Sequence, residues 1–211
     1  MFFSHLRRYC ILLGLLAALQ GNCQAAQERT LLVVGDSISA EYGLPRGSGW
    51  VALLAQKLRR DKPAWQVINA SISGDTSFGG RSRLPALLQQ HRPDCVLIEL
   101  GGNDALRGLS LQATQDNLLA MTQSAQQAGA RVLLLGMQVP PNYGPDYAQR
   151  FAELFAVVAR QRKVPLVPFL LKGVADQADP TRLFQADRIH PNEQAQPLIL
   201  NNVWPALRKL L

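Results

Sequence analysis

Leu31-Leu32-Val33-Val34-Gly35-Asp36-Ser37-Ile38-Ser39 begins with four apolar residues and breaks into a polar turn led by glycine. An unbroken apolar run of this kind reads as a strand covered on both faces, because a strand with one wet face alternates. Similar short runs recur at residues 66–70, 96–100, 132–135 and 165–169, the second being the weakest. Between them the period changes to that of a helix. Trp50, Val51, Leu54 and Leu58 fall on one face, as do Phe151, Leu154, Phe155 and Val158. Leu111, Leu118, Met121 and Ala125 form a third stripe, with Ser110 as its N-cap and Gly129 as its C′ residue. The segment from Asn192 is helical in pattern; Pro197 suits a helix start, while Pro205 is expected to kink or divide it. Alternating strand and helix defines an α/β fold, a five-stranded parallel sheet between two helical layers.

Four polar turns follow four of these strands. They are Asp36-Ser37, Ser73-Gly74-Asp75, Gly101-Gly102-Asn103-Asp104 and Pro140-Pro141-Asn142. In a parallel sheet the carboxyl ends share one edge, which is where such folds bind ligands. Four dispersed motifs therefore converge on one crevice.

The first 25 residues stand apart. Arg7 and Arg8 precede an uncharged, mostly apolar run over 9–19, and Cys23-Gln24-Ala25 offers small residues for cleavage before Ala26. That is the pattern of a secretory signal peptide, since a spanning helix needs ~20 apolar residues. Residues 26–211 are then a single domain, exported, with the periplasm as the expected location. Losing Arg7 and Arg8 and no acids lowers the formal charge from +7 to +5. Such a charge favours an anionic surface or substrate, but the basic residues are scattered and no nucleic-acid motif accompanies them. Cys10 and Cys23 leave with the leader, so Cys95 has no partner for an internal disulfide and reads as a small buried hydrophobe.

A serine hydroxyl becomes a useful nucleophile only when a base takes its proton. Two histidines follow residue 25. His91, in Gln89-Gln90-His91-Arg92-Pro93, lies at a helix exit leading into the third strand, at the edge opposite the motifs, as an exposed cap residue. His190 has Asp187 three residues before it, a spacing that on a tight turn brings a carboxylate to Nδ1 and leaves Nε2 to face Ser37. An Asp-x-x-His alone is an ordinary polar turn; joined to Ser37 and the convergence, it reads as catalytic. The oxyanion that forms needs donors, each worth ~2.7–4 kcal/mol. Candidates are the N–H groups of Ser37 and Gly74 and the Asn103 amide, against bland readings of a turn glycine and an Asx-turn.

Taken together, Gly35-Asp36-Ser37, Gly74, Gly101-Gly102-Asn103-Asp104 and Asp187-x-x-His190 resemble the four ordered blocks of the SGNH (GDSL-type) hydrolases. The strings Gly-Asp-Ser-Ile-Ser-Ala, Gly-Gly-Asn-Asp-Ala-Leu-Arg-Gly, Pro-Asn-Tyr-Gly and Ile-His-Pro-Asn are similar to one subgroup, exported bacterial enzymes with thioesterase, arylesterase and lysophospholipase activities. The resemblance implies Ser37 as nucleophile, His190 as base, Asp187 as its orienter, and Gly74 and Asn103 completing the oxyanion hole. It also implies a flavodoxin-like sheet of order 2-1-3-4-5, with no metal and no cofactor. Departures at Glu41 and in the C-terminal prolines bear on substrate fit. Asp36 and Asp104 are assigned to holding loops.

Leu106, Leu109 and Tyr143, with Leu111, Met137 and Val139, place apolar surface near the crevice, which suits a longer acyl group. A carbohydrate O-acetylesterase would need sugar-binding polar groups instead. A non-catalytic binding module would be free to lose the Ser-Asp-His-Asn set. A metallohydrolase is excluded by composition, with no His-Glu-x-x-His and too few ligands for a closed zinc site. The expected partner is a small acyl ester or thioester, with no nucleic acid, no stable membrane anchor and a monomeric chain.

Overall fold

Residues 31–34 become the sheet's central strand because both of its faces are covered. In the computed structural model, which describes residues 28–211, Leu31, Leu32, Val33 and Val34 are completely buried. They belong to β1 (Arg29–Gly35), which pairs in parallel with β2 (Trp65–Asn69) on one side and β3 (Cys95–Glu99) on the other. β4 (Arg131–Leu135) and β5 (Leu166–Val167) complete a parallel sheet of order β2-β1-β3-β4-β5. This is the flavodoxin-like order implied by the resemblance. β2 is an edge strand with half-exposed residues, which is why its apolar signal is faint. β5 is only two residues long, because Pro165 and Pro168 on either side have no N–H to give to a ladder.

Six helices cover the sheet among the described residues: α1 (Trp50–Asp61), α2 (Ser77–His91), α3 (Gly102–Leu106), α4 (Leu111–Gln127), α5 (Pro145–Arg162) and α6 (Gln196–Leu207). α1 packs on α6, while α2, α4 and α5 pack in series. The expected faces of α1 and α5 are buried, as are Leu118, Met121 and Ala125 of α4, whereas Leu111 is only half-buried. Ser110 Oγ accepts the Ala113 N–H at 3.3 Å, and Gly129 takes φ +85° just beyond the helix.

Three expectations change. α6 is not divided at Pro205; it runs on to Leu207. The ring forfeits one bond within the last turn, and buried Ile199, Val203 and Leu207 hold the helix to the core. Asn103 and Asp104 lie on the short helix α3 instead of in a loop. His91 is half-buried, and the left-handed cap of α2 is Arg92. Cys95 is fully buried, and desolvation pushes its thiol up to about 12. The leader expected at residues 1–25 lies outside the described residues. No described helix is long and apolar enough to cross a membrane.

Candidate active site

The chain leaves β1 at Gly35, where only a glycine fits. A Cβ there would stand 2.7 Å from Glu99 Oε2 and 2.9 Å from Ser39 Oγ. The following turn is held by Asp36, whose Oδ1 accepts the Ile38 N–H at 3.0 Å and whose Oδ2 accepts the Asn103 amide at 3.0 Å. Ser37 is thereby presented at the carboxyl edge of the sheet, mostly buried.

His190 arrives from the turn between β5 and α6. Its Nε2 lies 2.9 Å from Ser37 Oγ, and its Nδ1 lies 2.7 Å from Asp187 Oδ2. Asp187 Oδ1 accepts the N–H groups of Ile189 at 2.9 Å and His190 at 3.0 Å, which closes the turn. Arg188 pays for that closure with a left-handed φ of +58°. Partial burial pushes the Asp187 carboxyl up, but the two N–H bonds and the His190 ring outweigh it and bring it down to about 2. An ionised Asp187 can only accept, so Nδ1 carries the hydrogen and Nε2 is free to accept from Ser37.

Two contacts that sequence reading did not find seat this turn. Gln185 Nε2 donates to Tyr42 O at 2.8 Å, and the Tyr42 ring lies 4.4 Å from the His190 ring. Both bridge segments more than 140 residues apart in the chain, so no local pattern announces them.

The oxyanion candidates come from three loops. Neither the Ser37 nor the Gly74 N–H is donated to another group among the described residues. Gly74 takes φ +78°, and Arg107 Nη2 donates to its carbonyl at 2.7 Å, tying that loop to the end of α3. Asn103 spends one amide hydrogen on Asp36 and retains the other. Asp104 is buried and accepts from Ser77 N at 2.8 Å and Ser77 Oγ at 2.5 Å, so it clamps α3 to α2. Arg83 also escaped the sequence reading: it bonds Asp75 at 2.8 Å, donates to Ala70 O, and reaches Gly35 O at 3.4 Å.

Behind the Ser37 turn lies Glu99, completely buried at the end of β3. Its Oε2 accepts Ser39 Oγ at 2.7 Å and Asp36 N–H at 3.2 Å. Burial, with the Asp36 charge beside it, holds this carboxyl well above the usual range. Burial likewise raises Asp36, to about 6, against the lowering effects of the Ile38 N–H, the His190 charge and the Asn103 amide. The signal for Glu99 was present as a lone acid closing an apolar strand, Val96-Leu97-Ile98-Glu99.

Of the acyl-pocket candidates, Leu106 is 47% exposed and Leu109 43%. Tyr143 is half-buried and stacks on Tyr147 with ring centroids 6.0 Å apart; it makes no hydrogen bond to Ser37, His190 or Asp187 among the described residues. Leu111 and Val139 pack against the core, and Met137 belongs to it.

A hydroxyl, an imidazole and a carboxylate hydrogen-bonded in series at the carboxyl edge of an open parallel sheet make the layout of a serine hydrolase. The chain belongs to the GDSL-like lipase/acylhydrolase family, whose model it matches over residues 33–197. It is an acyl hydrolase of that family. It is 53% identical over 204 residues to esterase TesA of Pseudomonas aeruginosa, covering 97% of this chain and 100% of that one. It is 43% identical over 192 residues to thioesterase 1/protease 1/lysophospholipase L1 of Escherichia coli K12, covering 89% of this chain and 88% of that one. A crystal structure of TesA superposes with a TM-score of 0.83 at 55% identity, covering 87% of this chain and 100% of that one.

Proposed function

We propose that this chain is an exported hydrolase that cleaves arylesters, acyl-CoA thioesters and lysophospholipids through an acyl-enzyme on Ser37. The observation that carries this reading is the 2.9 Å separation of Ser37 Oγ from His190 Nε2, with Asp187 on the opposite ring nitrogen. As Oγ attacks the acyl carbon, His190 Nε2 takes its proton. The imidazolium that results is stabilised by ionised Asp187. Negative charge on the former carbonyl oxygen meets the N–H groups of Ser37 and Gly74 and the free amide hydrogen of Asn103. His190 then protonates the departing alcohol or thiol, and the C–O or C–S bond breaks. A water next gives its proton to His190 and its oxygen to the acyl carbon, releasing the acid and restoring Ser37.

The names of the relatives support the substrate classes. The exposed Leu106 and Leu109 beside Asn103 support acyl chains longer than acetyl. Export rests on residues 1–25 alone. The test is turnover of purified mature protein across a chain-length series of p-nitrophenyl esters, acyl-CoAs and lysophospholipids, with an organophosphonate to mark the nucleophile. Labelling of Ser37 with parallel loss of activity is expected. Labelling elsewhere with the same loss overturns the assignment.

A further inference from the structure

The backbone of Tyr42 is bonded to both of the turns that carry Ser37 and His190. Its N–H donates to Ser37 O at 3.3 Å, and its carbonyl accepts Gln185 Nε2, which also donates to Pro191 O at 3.1 Å. The Gln185 N–H in turn donates to His190 O at 2.8 Å. Gln185 can lie there because residue 43 is glycine: a Cβ at that position would run into Gln185 Oε1. On the other flank Glu41 takes φ +60°, and its carboxylate accepts the N–H groups of Gly47 at 3.1 Å and Gly49 at 2.8 Å. The segment under Tyr42 is thus fixed on both sides before any substrate arrives. Its side chain is not spent on packing. It is 50% exposed, its ring centroid lies 4.4 Å from that of His190 at a tilt of 41°, and its hydroxyl makes no hydrogen bond among the described residues.

What meets that ring follows from the order of bond making and breaking. His190 Nε2 hands its proton to the leaving oxygen, so that oxygen comes within about 3 Å of Nε2. The oxyanion turns instead toward the donors of Ser37, Gly74 and Asn103, and Leu106 and Leu109 follow Asn103 in the chain. Substituents of one tetrahedral carbon point in different directions. The group carried on the leaving oxygen therefore extends on the His190 side, where Tyr42 stands. A ring on that group reaches the centroid spacing of ~4.5–7 Å at which aromatic pairs attract.

We propose that Tyr42 is the leaving-group platform of this site and selects esters whose departing alcohol carries an aromatic ring, an inference that rests on the acylhydrolase reading above. A stacked or edge-to-face aromatic pair is worth about two- to tenfold beyond the apolar area it covers. A saturated ring of the same outline covers that area but has no π-face, so the gain is confined to aromatic leaving groups. Selection is then divided between two ends of the crevice: Leu109 reads the acid half of the ester and Tyr42 the alcohol half. Because the platform and His190 share one seat, the leaving group is held beside the atom that protonates it.

The experiment gives purified mature protein benzyl butyrate and cyclohexylmethyl butyrate, which share their acyl group and both release a primary alcohol. Each kcat/KM is divided by that ester's rate of hydrolysis in alkali, which removes the difference in intrinsic reactivity. Wild type is expected to favour the benzyl ester by about two- to tenfold. Tyr42→Leu brings the ratio close to one, while Tyr42→Phe, which keeps the ring, keeps the wild-type ratio. A loss that falls on both esters alike, as from a disturbed His190 seat, cancels in the ratio, and thermal melts report folding. If wild type leaves p-nitrophenyl butyrate intact along with both esters, the acylhydrolase reading fails and this inference with it. If it cleaves p-nitrophenyl butyrate but shows no preference for the benzyl ester, the platform is overturned and the acylhydrolase reading stands. An unaltered preference in Tyr42→Leu overturns the platform too, leaving Tyr42 a purely structural residue, as does a preference lost in Tyr42→Phe, which would assign it to the hydroxyl.

Discussion

Asp36 Oδ2 holds the side-chain amide of Asn103 at 3.0 Å, joining the Ser37 turn to α3 across 67 residues of chain. The bond fixes the direction of the amide's remaining hydrogen before any substrate arrives. Preorganisation of that kind acts on charge developed in the transition state. Asn103→Ala is therefore expected to lower kcat by ~10²–10³ with little change in KM. Asp36→Ala, which frees the amide to rotate, is expected to lower kcat by about tenfold or more, again with KM near its wild-type value. Steady-state kinetics alongside thermal melts decide both. An unchanged kcat in Asn103→Ala removes this residue from the mechanism.

Ser37→Ala and His190→Ala are each expected to reduce turnover by ~10⁴-fold or more in a protein that still folds. Asp187→Ala costs less, because its role is to orient. His91, at the opposite end of the strands, is the control, and His91→Ala leaves kcat/KM unchanged. Comparable losses at His91 and His190 would count against the assignment.

Leu109 tests acyl selection. Each methylene laid against it contributes up to ~0.8 kcal/mol, so Leu109→Ala is expected to weaken decanoyl esters by about tenfold while sparing acetyl esters. The comparison is kcat/KM on the two esters. Equal losses on both, with a lowered melting temperature, would mean that Leu109 packs the start of α4 instead of lining a groove.

Stability should respond to pH in two opposed ways. Asp187 is held down at about 2, so its contribution is complete above the ordinary carboxylate range and disappears as pH falls toward 2. Asp36 is held up at about 6, so the folded state keeps its proton longer than the unfolded chain does. Its burial therefore destabilises the fold increasingly as pH rises from about 4 to 6, by a total on the order of 3 kcal/mol. Asp36→Asn removes that ionisation. Urea unfolding of both proteins between pH 4 and 7 should show the variant gaining on wild type as pH rises; parallel curves would refute the sign.

The N-terminus of the exported protein is expected at Ala26 or within a residue or two of it. Mass spectrometry of the periplasmic fraction reads this directly. Retention of Met1 on a membrane-bound form would contradict it.

Much of this protein is written in local patterns. An unbroken apolar run makes a two-sided strand at 31–34, a 3.6-residue stripe makes α1 and α5, and Asp187 three residues before His190 makes a turn whose carboxylate reaches the ring. These depend only on neighbours in the chain, which is why they are legible without the fold. The alternation of elements then puts the polar turns on one edge, because parallel strands leave no other arrangement. What lies across the sheet is another matter. Gly35 faces Glu99 in the β1–β3 register, and only that pairing explains why residue 35 has no room for a side chain and why a buried acid supports the turn that carries Ser37. Asp36 on Asn103, Arg83 on Gly35 and Gln185 on Tyr42 have the same origin. Chain distance says nothing about which strands become neighbours or how they slide into register. Those pairings are decided when the whole core closes, and the tertiary structure alone decided them.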